Sequence, residues 1–193
     1  MADAGVEVVY AVGNRDPWHL DYVASEIGAI LVRDVWRARR AGHALYIAHG
    51  DQQEPAGWLA SRLKPLLRVP LMARLYRMSL PGDAGYGLMR WVSTRFGSDG
   101  VPRPRAAAAL AAVARTTLAA TDADLVAFGH VHATALETTP NGAYLNPGYW
   151  FGDRTFATLD AAGPSLWRWR DGAAEPLQIA APAAAARTAP ALS

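Results

Sequence analysis

Apolar and polar positions alternate along this chain in short blocks whose period changes from block to block. Val6 to Val12 is rich in β-branched and aromatic residues and ends at Gly13-Asn14, the pattern of a buried strand that delivers a polar loop. Asp16-Pro17 is an N-cap followed by proline at the first helical position, so a helix is predicted from Trp18 to about Gly28. A short strand over Ala29 to Arg33 follows. The run DVWRARRAGHALYIAHGD alternates on both sides of Arg40-Ala41-Gly42, which predicts a hairpin whose second strand, Ala44 to Ala48, ends at His49-Gly50-Asp51.

The period then changes. Residues 55 to 105 carry Leu, Met, Trp and Arg at helical spacing, interrupted at Pro65, Pro70 and Pro81-Gly82, and read as two or three short amphipathic helices forming an insertion or lid. RPRAAAALAAVARTTLAAT is an alanine-rich helix. Asp124 to Phe128 is a strand ending in Gly129-His130-Val131-His132. A Pro-Asn-Gly turn near residue 141 and a turn at Ala162-Gly163 mark two further hairpins. Residues 1–180 read as one domain, and the tail 181–193, with little to bury, is expected to be disordered.

Composition narrows the function classes. At 193 residues the chain can bury a substantial core without metals or disulfides. It has no cysteine, which removes disulfide frameworks, thiolate zinc sites and cysteine nucleophiles together, and sits most easily with a cytoplasmic address. Neither a signal-peptide pattern nor an uninterrupted apolar run of about 18 residues occurs, so no spanning helix is expected. The net charge of +2 hides an asymmetry: residues 55–105 hold nine Lys or Arg against Asp83 and Asp99, a net +7. Trp58 to Phe96 is therefore a candidate for peripheral contact with an anionic lipid or inner membrane surface, or else a helical cover with solvated arginines. Nucleic acid is a weaker partner, because prolines interrupt any long reading helix and no recognised nucleic-acid motif accompanies the charge.

Three predicted strands thus end in GNRD, HGD and GHVH. Loops that follow strand ends are where sheet-containing folds hold ligands, so side chains distant in sequence can converge there. GNRD or HGD alone is more easily a turn or a capping residue, whereas GHVH alone is as readily a metal site, because packing hardly explains two histidines at a strand end. In this order, each after a strand, they are a set of neutral donors: Asn14, His49, His130 and His132. Imidazole nitrogen and amide oxygen suit manganese, iron or zinc. His19, in the helix after the first loop, is placed to line the same site and touch substrate, whereas His43, inside a hairpin, reads as structural.

The ordered set GNRD, HGD and GHVH resembles the calcineurin-like metallophosphoesterases, whose signature runs Asp-x-His, Gly-Asp-x-x-Asp, Gly-Asn-His-Asp or Glu, a later His, then Gly-His-x-His. Arginine in GNRD, the HGDQ loop, the helical insertion and the later YLNPGYW are most similar to the UDP-2,3-diacylglucosamine diphosphatase branch. The resemblance covers about Val6 to Trp169. It implies an α/β fold, a four-layer α+β sandwich with the N-terminal strand-helix units missing and a helical insertion added. It also implies hydrolysis of a phosphoester or pyrophosphate by a hydroxide bridging two divalent ions, acting on a phosphorylated small molecule or nucleotide-linked lipid.

By the same resemblance Asn14, His49 and His130 bind one ion and His132 the other. Arg15 stands where much of the family has histidine. An arginine is no useful acid near neutral pH, so its implied catalytic part is to clamp phosphate bidentately. Asp16 is expected to orient Asn14 or Arg15, and Asp51 to support His49. Neither Asp-x-His nor Gly-Asp-x-x-Asp precedes Gly13, and in the family those segments supply the carboxylate that bridges both ions. Two ions about 3.5 to 4 Å apart need such anionic bridging, so the residues present are expected to hold one ion at most. The expectation is the C-terminal part of a longer phosphoesterase. A short chain that has lost catalysis, serving as a scaffold or basic binding module, is the other reading.

Overall fold

The structure is a computed structural model, and it describes residues 5–14, 22–54, 70–79, 83–85, 87–88, 90–91 and 103–178. The elements that position the candidate site belong to a five-stranded mixed sheet. Strands β3 (Val35–Arg40) and β4 (His43–Ala48) form the expected hairpin, with Arg40 paired to His43 across a two-residue turn. Both turn residues lie in the left-handed region, Ala41 at φ 51° and Gly42 at φ 87°, the geometry whose twist matches that of the flanking strands.

Strand β5 (Leu125–Phe128) runs parallel to β4, with Leu45 opposite Leu125 and Ala48 opposite Phe128. Its four residues are all buried. That is why it reads as an unbroken apolar run and not an alternating one: both of its faces are covered. Strands β6 (Thr134–Thr139) and β7 (Gly142–Pro147) form a second hairpin, and β7 pairs parallel with β5, giving the order β3-β4-β5-β7-β6.

Alternate residues of β5 face two cores. Val126 and Phe128 pack with Leu110, Ala111, Ala114 and Leu118 of the alanine-rich helix Pro104–Ala120, whose spacing puts these four on one stripe. Leu125 and Ala127 join Leu45, Leu145 and Leu166 on the opposite face. Leu166 comes from a three-stranded antiparallel sheet built by β8 (Thr155–Asp160), β9 (Gly163–Arg170) and β10 (Ala173–Pro176). Helix, sheet and sheet stack as three layers, a mixed α/β architecture of the expected class.

A separate unit precedes them. Strand β1 (Val9–Ala11) pairs parallel with β2 (Ile30–Val32) across the helix α1 (Tyr22–Ile27). The pairing continues in the bond from Val12 N to Val32 O at 2.8 Å, which carries β1 directly into Gly13-Asn14. Further helices among the described residues are α2 (Pro70–Ser79), α3 (Pro104–Ala120) and α4 (Trp150–Asp153). The tail 181–193 and most of the 55–105 insertion lie outside the described residues.

Candidate functional site

Parallel pairing brings the ends of β4 and β5 to one level of the sheet. Ala48 and Phe128 are partners, so His49 and Gly129 follow side by side, and Gly129 N donates to His49 O at 2.9 Å. The end of β1 arrives at the same place: Asn14 Oδ1 lies 3.2 Å from His49 Nε2. The His130 ring meets the His49 ring edge to face, with centroids 5.2 Å apart. Three strand ends far apart in sequence therefore supply Asn14, His49 and His130 to one spot.

The GHVH loop turns sharply to do this. His130 and His132 both have left-handed backbones, at φ 62° and 53°, a conformation that costs a non-glycine residue roughly 1–2 kcal/mol. Surrounding bonds hold the loop. Asn146, fully buried at the end of β7, donates Nδ2 to Gly129 O at 2.9 Å and accepts from Gly148 N at 3.0 Å. On the other side Gly50 (φ 109°) presses against the site: a Cβ there would sit 3.2 Å from Leu110 Cδ2 and 3.3 Å from His130 Cβ.

Glu54 is the site residue that sequence reasoning missed. The chain turns straight after His49, with Glu54 N bonded to Gly50 O at 2.9 Å, and this folds Glu54 back over the strand ends. Its Oε2 lies 2.7 Å from His130 Nε2, and its Oε1 accepts from Arg103 Nη2 at 2.5 Å. Burial works against the charge on Glu54, but the His130 hydrogen bond and the Arg103 guanidinium outweigh it and hold the carboxyl below its ordinary value. Arg103, the residue just before α3, is thus one basic charge of the insertion that is committed inside the molecule. A cleft lined by Glu54, Arg103, Pro104, Arg105, Ala106 and Ala109 opens beside this pair.

The other sequence-predicted residues divide into two groups. The His132 ring stacks on Tyr149 at 4.2 Å with the planes 11° apart. Asp51 is buried, two residues past His49 in the chain. Arg15, Asp16 and His19 lie outside the described residues.

Whether these donors suit a metal is a question of spacing. Two ligands each about 2.1 Å from a common ion, at ordinary coordination angles, stand about 3.0 to 3.4 Å apart. The 3.2 Å between Asn14 Oδ1 and His49 Nε2 matches that separation, so this pair fits part of the ligand set of one ion. Among the described residues no group of three His, Asp or Glu side chains is arranged to hold a metal ion.

No family model matches the chain. A 53-residue stretch, 28% of the chain, is 34% identical to the UDP-2,3-diacylglucosamine hydrolase of Porphyromonas gingivalis, and the match spans a fifth of that relative's length. The chain thus spans a small part of that relative, and the whole relative's activity does not carry over from the match. Among solved structures, Vacuolar Protein Sorting 29 from Cryptosporidium parvum aligns at 15% identity and TM-score 0.34, over 75% of this chain and 55% of that one. Vps29 of Entamoeba histolytica complexed with zinc aligns at 12% identity and TM-score 0.37, over 78% of this chain and 68% of that one. At those scores the likeness does not bear on function.

Among the described residues no helix is long and apolar enough to cross a membrane. The described part of the insertion does turn apolar side chains outward: Leu71, Leu75 and Met78 of α2 are all exposed, as is Trp91.

Proposed function

We propose that this chain carries the histidine and asparagine side of a metal-dependent phosphohydrolase site, cleaving a phosphoester or phosphoanhydride bond. The observation that carries the reading is the meeting of Asn14 and His49, 3.2 Å apart, beside the His130 ring, at the ends of three strands that the motifs GNRD, HGD and GHVH follow. Packing does not account for a strand end that gathers these groups and holds His130 in a costly backbone conformation.

In this reading Asn14 Oδ1 and His49 Nε2 hold one divalent ion, manganese, iron or zinc by donor chemistry, with His130 and His132 completing the set toward it and a second ion. A bound ion would supply Lewis-acid stabilisation of charge developing on the phosphorus oxygens and an activated water. The chain's own groups do the positioning. By the motifs they belong to, Arg15 would offer a planar fork to the phosphate oxygens, Asp16 would orient Asn14 or Arg15, His19 would meet substrate, and buried Asp51 would steady His49.

The finer assignment follows the UDP-2,3-diacylglucosamine hydrolase match: a nucleotide-linked glycolipid whose pyrophosphate is cut. The stripe Leu71, Leu75, Met78, with Arg74 beside it on α2, favours an acyl-bearing substrate or contact with an anionic lipid surface. Co-sedimentation with phosphatidylglycerol vesicles that weakens with salt supports that extension, and absence of binding removes it.

A non-catalytic scaffold is favoured by one observation, the commitment of Glu54 to Arg103 and His130, which leaves the described donors neutral. Turnover of p-nitrophenyl phosphate and bis-p-nitrophenyl phosphate with Mn²⁺ separates the two readings. The phosphohydrolase reading expects metal-dependent turnover, abolished by EDTA and lowered at least about a hundredfold by His49→Ala. No turnover with any divalent ion leaves the scaffold.

A further inference from the structure

We propose that Glu54 is a positioning residue that fixes His130 as its Nε2–H tautomer, so that Nδ1 is the ring atom presented to a ligand, and that Arg103 holds Glu54 in that task. Nothing in the motif reading assigns Glu54 a part, and Nδ1 as the working atom of His130 follows only from the geometry. The inference deepens the phosphohydrolase reading and rests on it for the identity of the ligand, a divalent ion.

Donors and acceptors decide the tautomer. A neutral imidazole has one N–H and one lone pair, and which nitrogen carries which is set by the partner of the other. His130 Nε2 faces a carboxylate oxygen at 2.7 Å. That carboxylate is paired at 2.5 Å with a guanidinium that does not lose its proton. An ionised carboxylate is acceptor only, so Nε2 must donate, and in the neutral ring the lone pair falls on the other nitrogen, Nδ1. The His130 and Glu54 side chains are only 10% and 13% exposed, so little water competes for the bond.

Three separate segments build the clamp. Glu54 comes from the turn after β4, Arg103 from the residue before α3, and His130 from the loop after β5. The ring is held at one edge by Glu54 and against its side by the edge-to-face contact with His49. Histidines that ligate metals commonly donate their second nitrogen to a carboxylate, which fixes the tautomer and raises the basicity of the ligating atom. The two site histidines then differ: His49 presents Nε2, the atom next to Asn14, and His130 presents Nδ1.

The test is long-range ¹H–¹⁵N correlation of the imidazole rings at pH 8, on the wild type, Glu54→Ala and Glu54→Gln, with His130 assigned by its loss in His130→Gln. Expected is the Nε2–H tautomer for His130 in the wild type, retained in Glu54→Gln because the amide oxygen still accepts, and lost to a mixture in Glu54→Ala. Calorimetric Mn²⁺ affinity should fall about 10- to 100-fold in Glu54→Ala and recover largely in Glu54→Gln. An Nδ1–H or doubly protonated His130 in the wild type overturns the inference, as does the same tautomer in all three proteins. The expected tautomer pattern in a protein that binds no Mn²⁺ upholds the role of Glu54 and defeats the phosphohydrolase reading.

Discussion

The carboxylate of Glu54 lies 2.7 Å from Nε2 of His130 across a separation of 76 residues, and the same carboxylate grips Arg103. These bonds tie the turn after β4, the start of α3 and the GHVH loop into one unit. Glu54→Ala leaves a part-buried guanidinium and a part-buried ring N–H without their acceptor, a loss of about 1–3 kcal/mol. Arg103→Ala should cost less, because it removes one of the two partners of Glu54 and leaves the bond to His130 in place. Urea unfolding of both single variants and the double variant checks this. A favourable coupling energy is expected between the two sites, and strictly additive effects would contradict the linked arrangement.

Gly50 sits in the HGD motif at φ 109°, a conformation that side chains rarely adopt, with Leu110, Phe128 and His130 all within 3.4 Å of where a Cβ would be. Gly50→Ala therefore combines backbone strain of about 1–3 kcal/mol with a push on His130. The expected outcome is a lower denaturation midpoint and weaker Mn²⁺ affinity together. An unchanged midpoint in thermal or urea unfolding would show that the loop has room the geometry denies.

Asn146 is fully buried and spans two loops, giving one hydrogen bond to Gly129 O and taking one from Gly148 N. Replacing it with Ala leaves a part-buried carbonyl and a part-buried N–H without their partner, at about 1–3 kcal/mol. Asn146→Asp keeps an acceptor for Gly148 but sets a charge against the Gly129 carbonyl, so it should be no milder than Asn146→Ala. Equilibrium unfolding of the two variants, with amide exchange at Gly148, checks the order. A near-neutral Asn146→Asp would mean that the Gly129 bond contributes nothing.

Local signals account for what the sequence made legible. The β3–β4 hairpin, the alanine-rich helix α3, the all-buried strand β5 and the Pro-Asn-Gly turn each carry their cue within a few residues, and each is observed within one or two residues of expectation. Val6 to Val12 shortens to the three-residue strand Val9–Ala11, in register with Ile30–Val32 of β2. Strand β10 escaped notice, since Ala-Ala-Glu-Pro has neither alternation nor β-branched residues and exists only by pairing with β9. The short helix α4, closed by Arg154 in a left-handed conformation, likewise has no cue.

The site divides in the same way. His49 and His130 were legible because a polar motif follows an apolar strand, and parallel pairing then makes them neighbours. Glu54 was not, because nothing in Gln52-Gln53-Glu54 predicts that one turn brings its carboxylate back to a loop 76 residues later. The only cue was its place five residues after a motif histidine. Arg103 was counted among the free charges of the insertion for the same reason: charge counting cannot see an ion pair across 49 residues.

Calorimetric titration of Mn²⁺ into the wild type, Asn14→Ala, His49→Ala and the surface control Arg170→Ala decides whether the strand-end side chains form a divalent-ion site. One ion should bind the wild type and the control alike, with affinity lowered at least about a hundredfold in Asn14→Ala and His49→Ala. A wild type that binds no ion, or binding that survives both site substitutions unchanged, would contradict the account.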